Sequence, residues 1–135
     1  MLADAAQATP APFAKLYILG GGWSYTGPDV GAMAIAALIE VPWDQTNTPH
    51  SLLLELVNDD GRTDVLPDGA PVRVEGQFEA TRHPGQLPGT SVNIPLAFNF
   101  PPLPLEPGRR WQWRFTIDGE TREEWQVSFM TRPRA

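Results

Sequence analysis

Two histidines, His50 and His83, are the first side chains to weigh for chemistry. Nucleophilic catalysis needs a serine or cysteine with a histidine base held by a third group. The chain has no cysteine and no G-x-S-x-G segment. Nothing in the spacing marks an orienting partner for either ring. His50 stands at a strand start and His83 in a loop with Pro84 and Gly85, so both read as solvated. Paired carboxylates for glycoside hydrolysis need one buried and one polar acid near each other. Glu123 and Glu124 are adjacent on an extended segment, which points them to opposite faces. No catalytic residue is assigned, and the expectation is a protein that is not an enzyme.

Three other groups could bind. Asp59, Asp60 and Asp64, with Asp68 beyond them, form the one acidic cluster and could hold calcium at the tip of a sandwich. The EF-hand spacing is absent, and Asp and Asn are ordinary turn residues. Gly20-Gly21-Gly22 follows a strand pattern but lacks the G-x-G-x-x-G spacing, and no helix opens after it. It reads as a bulge or a close backbone approach, and no cofactor is expected. Trp23, Tyr25 and Trp43 lie in loops, where aromatics can form a stacking platform for a sugar or an anchor for a partner. Alternatively they plug the ends of the fold.

The elements that must position these residues are strands. Trp111, Trp113, Phe115 and Ile117 alternate with Arg110, Gln112, Arg114 and Thr116, the mark of one dry and one wet face. Asp118-Gly119 supplies a turn. Trp125, Val127 and Phe129 continue on one face of the returning strand. A three-residue loop over 118–120 pairs Ile117 with Thr121 and sets Trp113 opposite Trp125. The expectation is therefore that loop with a G1-type bulge, or a bulge near Glu123.

Upstream, residues 2–7 and 15–20 read as strands around a bend at 9–12, with Asp4 partly buried. Residues 31–41 fit helix by composition. Yet Met33, Ile35, Ile39 and Val41 share one strand face, with Ala34, Ala36 and Leu38 on the other, so a strand buried on both faces is favoured. Residues 50–58, 71–80 and 91–100 complete the set. Gly76 suggests a bulge, or a large neighbour filling the space, and Pro95 an edge strand. Residues 101–108 read as a crossover between sheets, although their PxxP spacing would also suit a polyproline ligand.

The approach to the last hairpin, Leu105, Pro107, Gly108, Trp111, Trp113 and Phe115, resembles the L-x-P-G-x-x-Y-x-V-x-V run that enters strand F of fibronectin-type and other immunoglobulin-like sandwiches. The resemblance implies a buried aromatic at the corner, with the indole N–H of Trp111 in place of a tyrosine hydroxyl. The chain as a whole is similar to a group of small uncharacterised bacterial proteins with an ADAAQ segment (here Ala3 to Gln7), KLxILGxGW (Lys15 to Trp23) and LIEVPWD (Leu38 to Asp44). That likeness supports one intact domain and implies no chemistry.

These readings give an all-β fold, an antiparallel Greek-key β-sandwich of about eight strands, immunoglobulin-like, as one domain over residues 1–135. The formal net charge of −6 argues against nucleic acid. It is uneven: residues 1–108 hold four basic and twelve acidic side chains, and residues 109–135 six and four. No run approaches membrane-spanning length and no leader pattern opens the chain, so a cytoplasmic location is expected. The expected role is binding or assembly with a protein partner, or self-association into a homo-oligomer through an edge strand. The Pro95 strand and residues 124–130 are the candidate edges, with Arg110, Arg114, Arg122 and Glu124 as interface residues.

Overall fold

The last hairpin anchors the larger of two sheets. Its outgoing strand β9 (Arg110–Ile117) lies between β10 (Gln126–Thr131) and β6 (Pro49–Asn58), and the full order is β4-β10-β9-β6-β7, with β4 at Tyr25–Thr26 and β7 at Arg73–Glu79. All neighbours run antiparallel except β4, which lies parallel to β10. A second sheet has the order β1-β5-β8, from Leu2–Ala3, Met33–Val41 and Val92–Phe100. A separate pair, β2 (Ala5–Ala8) and β3 (Leu16–Leu19), completes ten strands. The computed structural model describes residues 1–11 and 13–134. Pro12, in the bend expected at 9–12, lies outside them.

One apolar cluster draws on both larger sheets. Leu2, Met33 and Ile35 meet Leu54, Leu56, Trp111, Trp113 and Phe129. Trp113 is fully buried and stacks on Phe100, with ring centroids 4.6 Å apart. Such area removed from water is the main favourable term in the fold.

The hairpin corrects its expected register. Its loop has two residues, not three: Ile117 and Glu120 exchange both backbone hydrogen bonds. Asp118 and Gly119 both have positive φ (52° and 78°), the primed-turn geometry that suits strand twist. Further along, Trp113 faces Val127, not Trp125, and Arg114 meets Gln126 where an uninterrupted ladder would bring Glu123. The extra residues leave the ladder as a 3₁₀ turn, Glu123–Trp125. The hydroxyl of Thr121 donates to the Phe115 carbonyl at 2.6 Å and closes this excursion. The bulge thus sits near Glu123 and is larger than one residue.

Four other expectations change. The first strand breaks at Asp4, which is exposed rather than buried. Its N–H donates to Leu19 O at 3.0 Å, and a side chain at Gly20 would strike its carboxylate, since a Cβ there would stand 2.2 Å from Oδ2. Tyr25, expected in a loop, is in a strand, so ten strands replace about eight. The ladder passes Gly76 opposite Leu52 without a bulge, and open space lies where its side chain would be. Residues 124–130 are not an edge throughout, because β4 covers Met130 and Thr131.

Within residues 31–41, Met33–Val41 form a strand, and its double burial has a cause. β2 lies against the outer face of the three-stranded sheet, where the side-chain amide of Asn99 accepts from Ala6 N at 3.2 Å and donates to Ala6 O at 2.8 Å. Ala34 and Ala36 on that outer face are buried, as are Met33 and Ile35 on the inner one. Small side chains let a third layer approach. Pro95 sits on β8, at the end of its sheet, as its missing N–H requires. Residues 101–109 cross from one sheet to the other.

At the corner, Trp111 Nε1 donates to Thr131 Oγ1 at 3.3 Å, and Thr131 Oγ1 donates to Glu106 O at 2.8 Å. Thr131, fully buried, thus links the Trp111 N–H to the Glu106 carbonyl.

Candidate binding groove between the sheet edges

The space between the two larger sheets is left open along one side. β1 pairs with β5 only at Ala34 and Ile35, and Met1 extends the pairing to Ala36. Backbone groups of a strand point alternately to its two neighbours. The parity that aims Ala36 N–H and C=O at Met1 aims those of Leu38 and Glu40 the same way, where among the described residues no strand continues. Ala37, Ile39 and Val41 spend theirs on β8. Opposite this edge, the Gln126–Val127 end of β10 also lacks an outer neighbour.

Between the two edges runs a groove of about 560 Å³. Ile39, Phe115, Ile117, Trp125 and Val127 make its apolar surface, and Met1, Leu16 and Ile18 wall one end. Leu38 is 59% exposed beside it. Glu40 and Glu124, both exposed, are its acidic lining residues, and the Met1 ammonium at the walled end donates to Ala36 O at 2.8 Å. The guanidinium of Arg122 lies 4.9 Å from the Trp125 ring.

The groove shares Ile39, Glu40, Ile117 and Trp125 with a smaller recess of about 310 Å³ that holds His50. Contrary to expectation, His50 is buried, at 8% exposure, and has an orienting partner. Its Nδ1 lies 2.6 Å from Asp118 Oδ2 and its Nε2 lies 2.8 Å from Gln45 O. Both partners are acceptors, an arrangement that favours the doubly protonated ring, in which both nitrogens donate. The Gln45 carbonyl and then the Asp118 carboxylate hold its pKa above the ordinary value against the opposing pull of burial. The same bond to His50, followed by the donated N–H of Ser51 at 2.9 Å, holds Asp118 below the usual carboxylate range. Phe78 stacks on the ring at 5.3 Å. A histidine with both nitrogens committed offers no lone pair to a nucleophile, so this trio is a clamp between the hairpin turn and the 43–45 turn.

Other nominated residues are dispersed. Trp23 and Tyr25 line one pocket of about 220 Å³, which Trp43 does not line. Trp23 is half-buried with its ring edge on Phe129, and Tyr25 is exposed. Trp43 carries the guanidinium of Arg82 3.7 Å above its ring, and that side chain also bonds Thr46 Oγ1 and Trp43 O. Asp59 and Asp60 bond Arg109, whereas Asp64 bonds Arg62. The hydrogen bond from Arg109 depresses the Asp59 pKa, and that from Arg62 depresses Asp64. Among the described residues no three acids or histidines converge on a metal-sized site, and the three aspartates nominated for calcium each face an arginine. His83 is exposed, as expected.

Of the interface residues, Arg114 pairs with Glu55 at 2.7 Å on the outer face of the large sheet, where Arg110 is exposed. Arg122 and Glu124 flank the groove region instead. Sequence reading missed the roles of Leu38, Glu40 and the His50–Asp118 pair. The signal for the first two was present: they share a parity in a strand whose odd positions face the core.

Among the described residues no helix is long and apolar enough to cross a membrane. A model of a family of unknown function (DUF6941) matches residues 1–129. No curated protein matches the chain, and no solved structure does.

Proposed function

The chain belongs to that family of unknown function, and we propose that it is a single-domain, non-catalytic protein-binding module that takes an extended partner segment into its open side by strand addition. The observation that carries this is the pair of unpaired edges, β5 at Leu38 and Glu40 and β10 at Gln126–Val127, flanking an apolar groove. An added strand would satisfy the free backbone groups of β5 while its alternate side chains fill the groove. The strand orders support an immunoglobulin-like Greek-key build. β1-β5-β8 corresponds to strands A, B and E of such domains, and β10-β9-β6-β7 to G, F, C and C′. The commitment of both His50 nitrogens supports a non-catalytic role.

The test is a titration of ¹⁵N-labelled protein with a neutral octapeptide of alternating valine and threonine, followed by amide shifts and hydrogen exchange. Expected are shifts at Leu38, Glu40 and Val127, and slower exchange at Leu38 and Glu40. Unchanged amides along β5 at millimolar peptide would overturn strand addition.

A further inference from the structure

We infer that the segment this groove selects is cationic on the side that faces solvent and apolar on the side that faces the groove. This rests on the strand-addition reading above and adds the partner's chemistry. Leu38 and Glu40 lie on the outer face of β5, because the odd positions Met33, Ile35 and Ile39 face the core. An added strand places one residue directly beside Glu40 on that same face, where opposite charges attract and like charges repel. Its intervening residues point inward, toward Phe115, Ile117 and Val127. Across the groove Glu124 presents a second exposed carboxylate. Among the described residues no lysine, arginine or histidine lines this groove; the Met1 ammonium does, and it is committed to the Ala36 carbonyl at 2.8 Å, while the chain carries a net charge of −6.

The same charges disfavour a second copy as occupant. Two β5 edges related by a two-fold axis at Ile39 would pair Leu38 with Glu40 of the other copy. The two Glu40 side chains would then lie on one face as diagonal neighbours, and two acidic bodies would be brought together. A different chain with alternating apolar and basic residues meets every feature: the free backbone groups, the apolar surface and the acidic rim.

The experiment compares three blocked octapeptides, alternating valine–lysine, valine–glutamate and valine–threonine, on the intact chain and on the Glu40→Lys/Glu124→Lys variant. Both substituted residues are exposed, so the fold does not depend on them. The lysine peptide is expected to bind the natural chain roughly threefold to tenfold more tightly than the glutamate peptide, the range set by one or two cross-strand charge pairs. The variant should reverse the order, and exchange at Leu38 and Glu40 should slow in each favoured complex. Equal binding of all three peptides with those amides protected overturns the charge preference and leaves strand addition standing. No protection by any peptide overturns both. A dimer in light scattering that itself protects Leu38 and Glu40 overturns the heterologous partner in favour of a second copy.

Discussion

His50 shows how a single ring fixes two turns. Its imidazolium ties Asp118, at the tip of the hairpin, to Gln45 in the preceding connection. Because its folded pKa is raised, the stability it contributes is fully present below the unfolded value of about 6.5. That stability is lost as pH climbs through the raised folded value. Asp118 works in the opposite sense: its lowered pKa gives stability above about 3.8 that is lost as pH falls through the folded value. Urea unfolding across pH should therefore show stability falling on the alkaline side of 6.5. In Asp118→Asn, which keeps a residue tolerant of positive φ, that decline should flatten. An unchanged slope would remove Asp118 as the cause. None of this was legible in the sequence, since the partners are 68 positions apart and Asp-Gly reads first as a turn. Thr131 was equally hidden. Replacing it with valine should cost about 1–3 kcal/mol in chemical denaturation, because the Glu106 carbonyl and the Trp111 N–H lose their buried partner. Serine in its place should recover most of that loss.

Among the elements, β5 was readable in outline and unreadable in consequence. Alternation identified Met33–Val41 as a strand buried on both faces. It could not tell that the outer cover ends near Ala36, because the cover is β2 and β3, placed by a long-range bond from Asn99. Asn99→Ala removes both of those bonds and should loosen the outer layer first. Faster hydrogen exchange across Ala5–Ala8 and Leu16–Leu19, with β9 unchanged, is the expected result. The Trp-rich hairpin was found by pattern but misregistered. Tight-turn chemistry at Asp118-Gly119 and face-matching at Val127 and Phe129 are both real constraints, and the chain satisfies both by ejecting a 3₁₀ turn that carries Trp125. A period-2 template has no place for that turn.

Over the molecule as a whole, an apolar core spanning two sheets carries the fold, and its central side chain is Trp113. Trp113→Ala should destabilise by about 3–5 kcal/mol, the range for a large side chain removed from a packed interior. The all-β class followed from turn spacing and alternation alone. The third layer, the open side and the small strand β4 did not, because each depends on which segments meet across long stretches of chain.

The parallel pairing of β4 with β10 also bears on how the chain is made. Tyr25 and Thr26 leave the ribosome long before their partners Met130 and Thr131 are made. β9 finds β6 already made, and β10 follows it after only residues 118–125. Until β10 is made, the glycine-rich segment before β4 stays in a nascent, incompletely closed body, the kind of species that aggregates or recruits a chaperone. Chains arrested after residue 120 should accordingly be protease-sensitive at residues 20–32, and release of the full-length chain should abolish that sensitivity in one step.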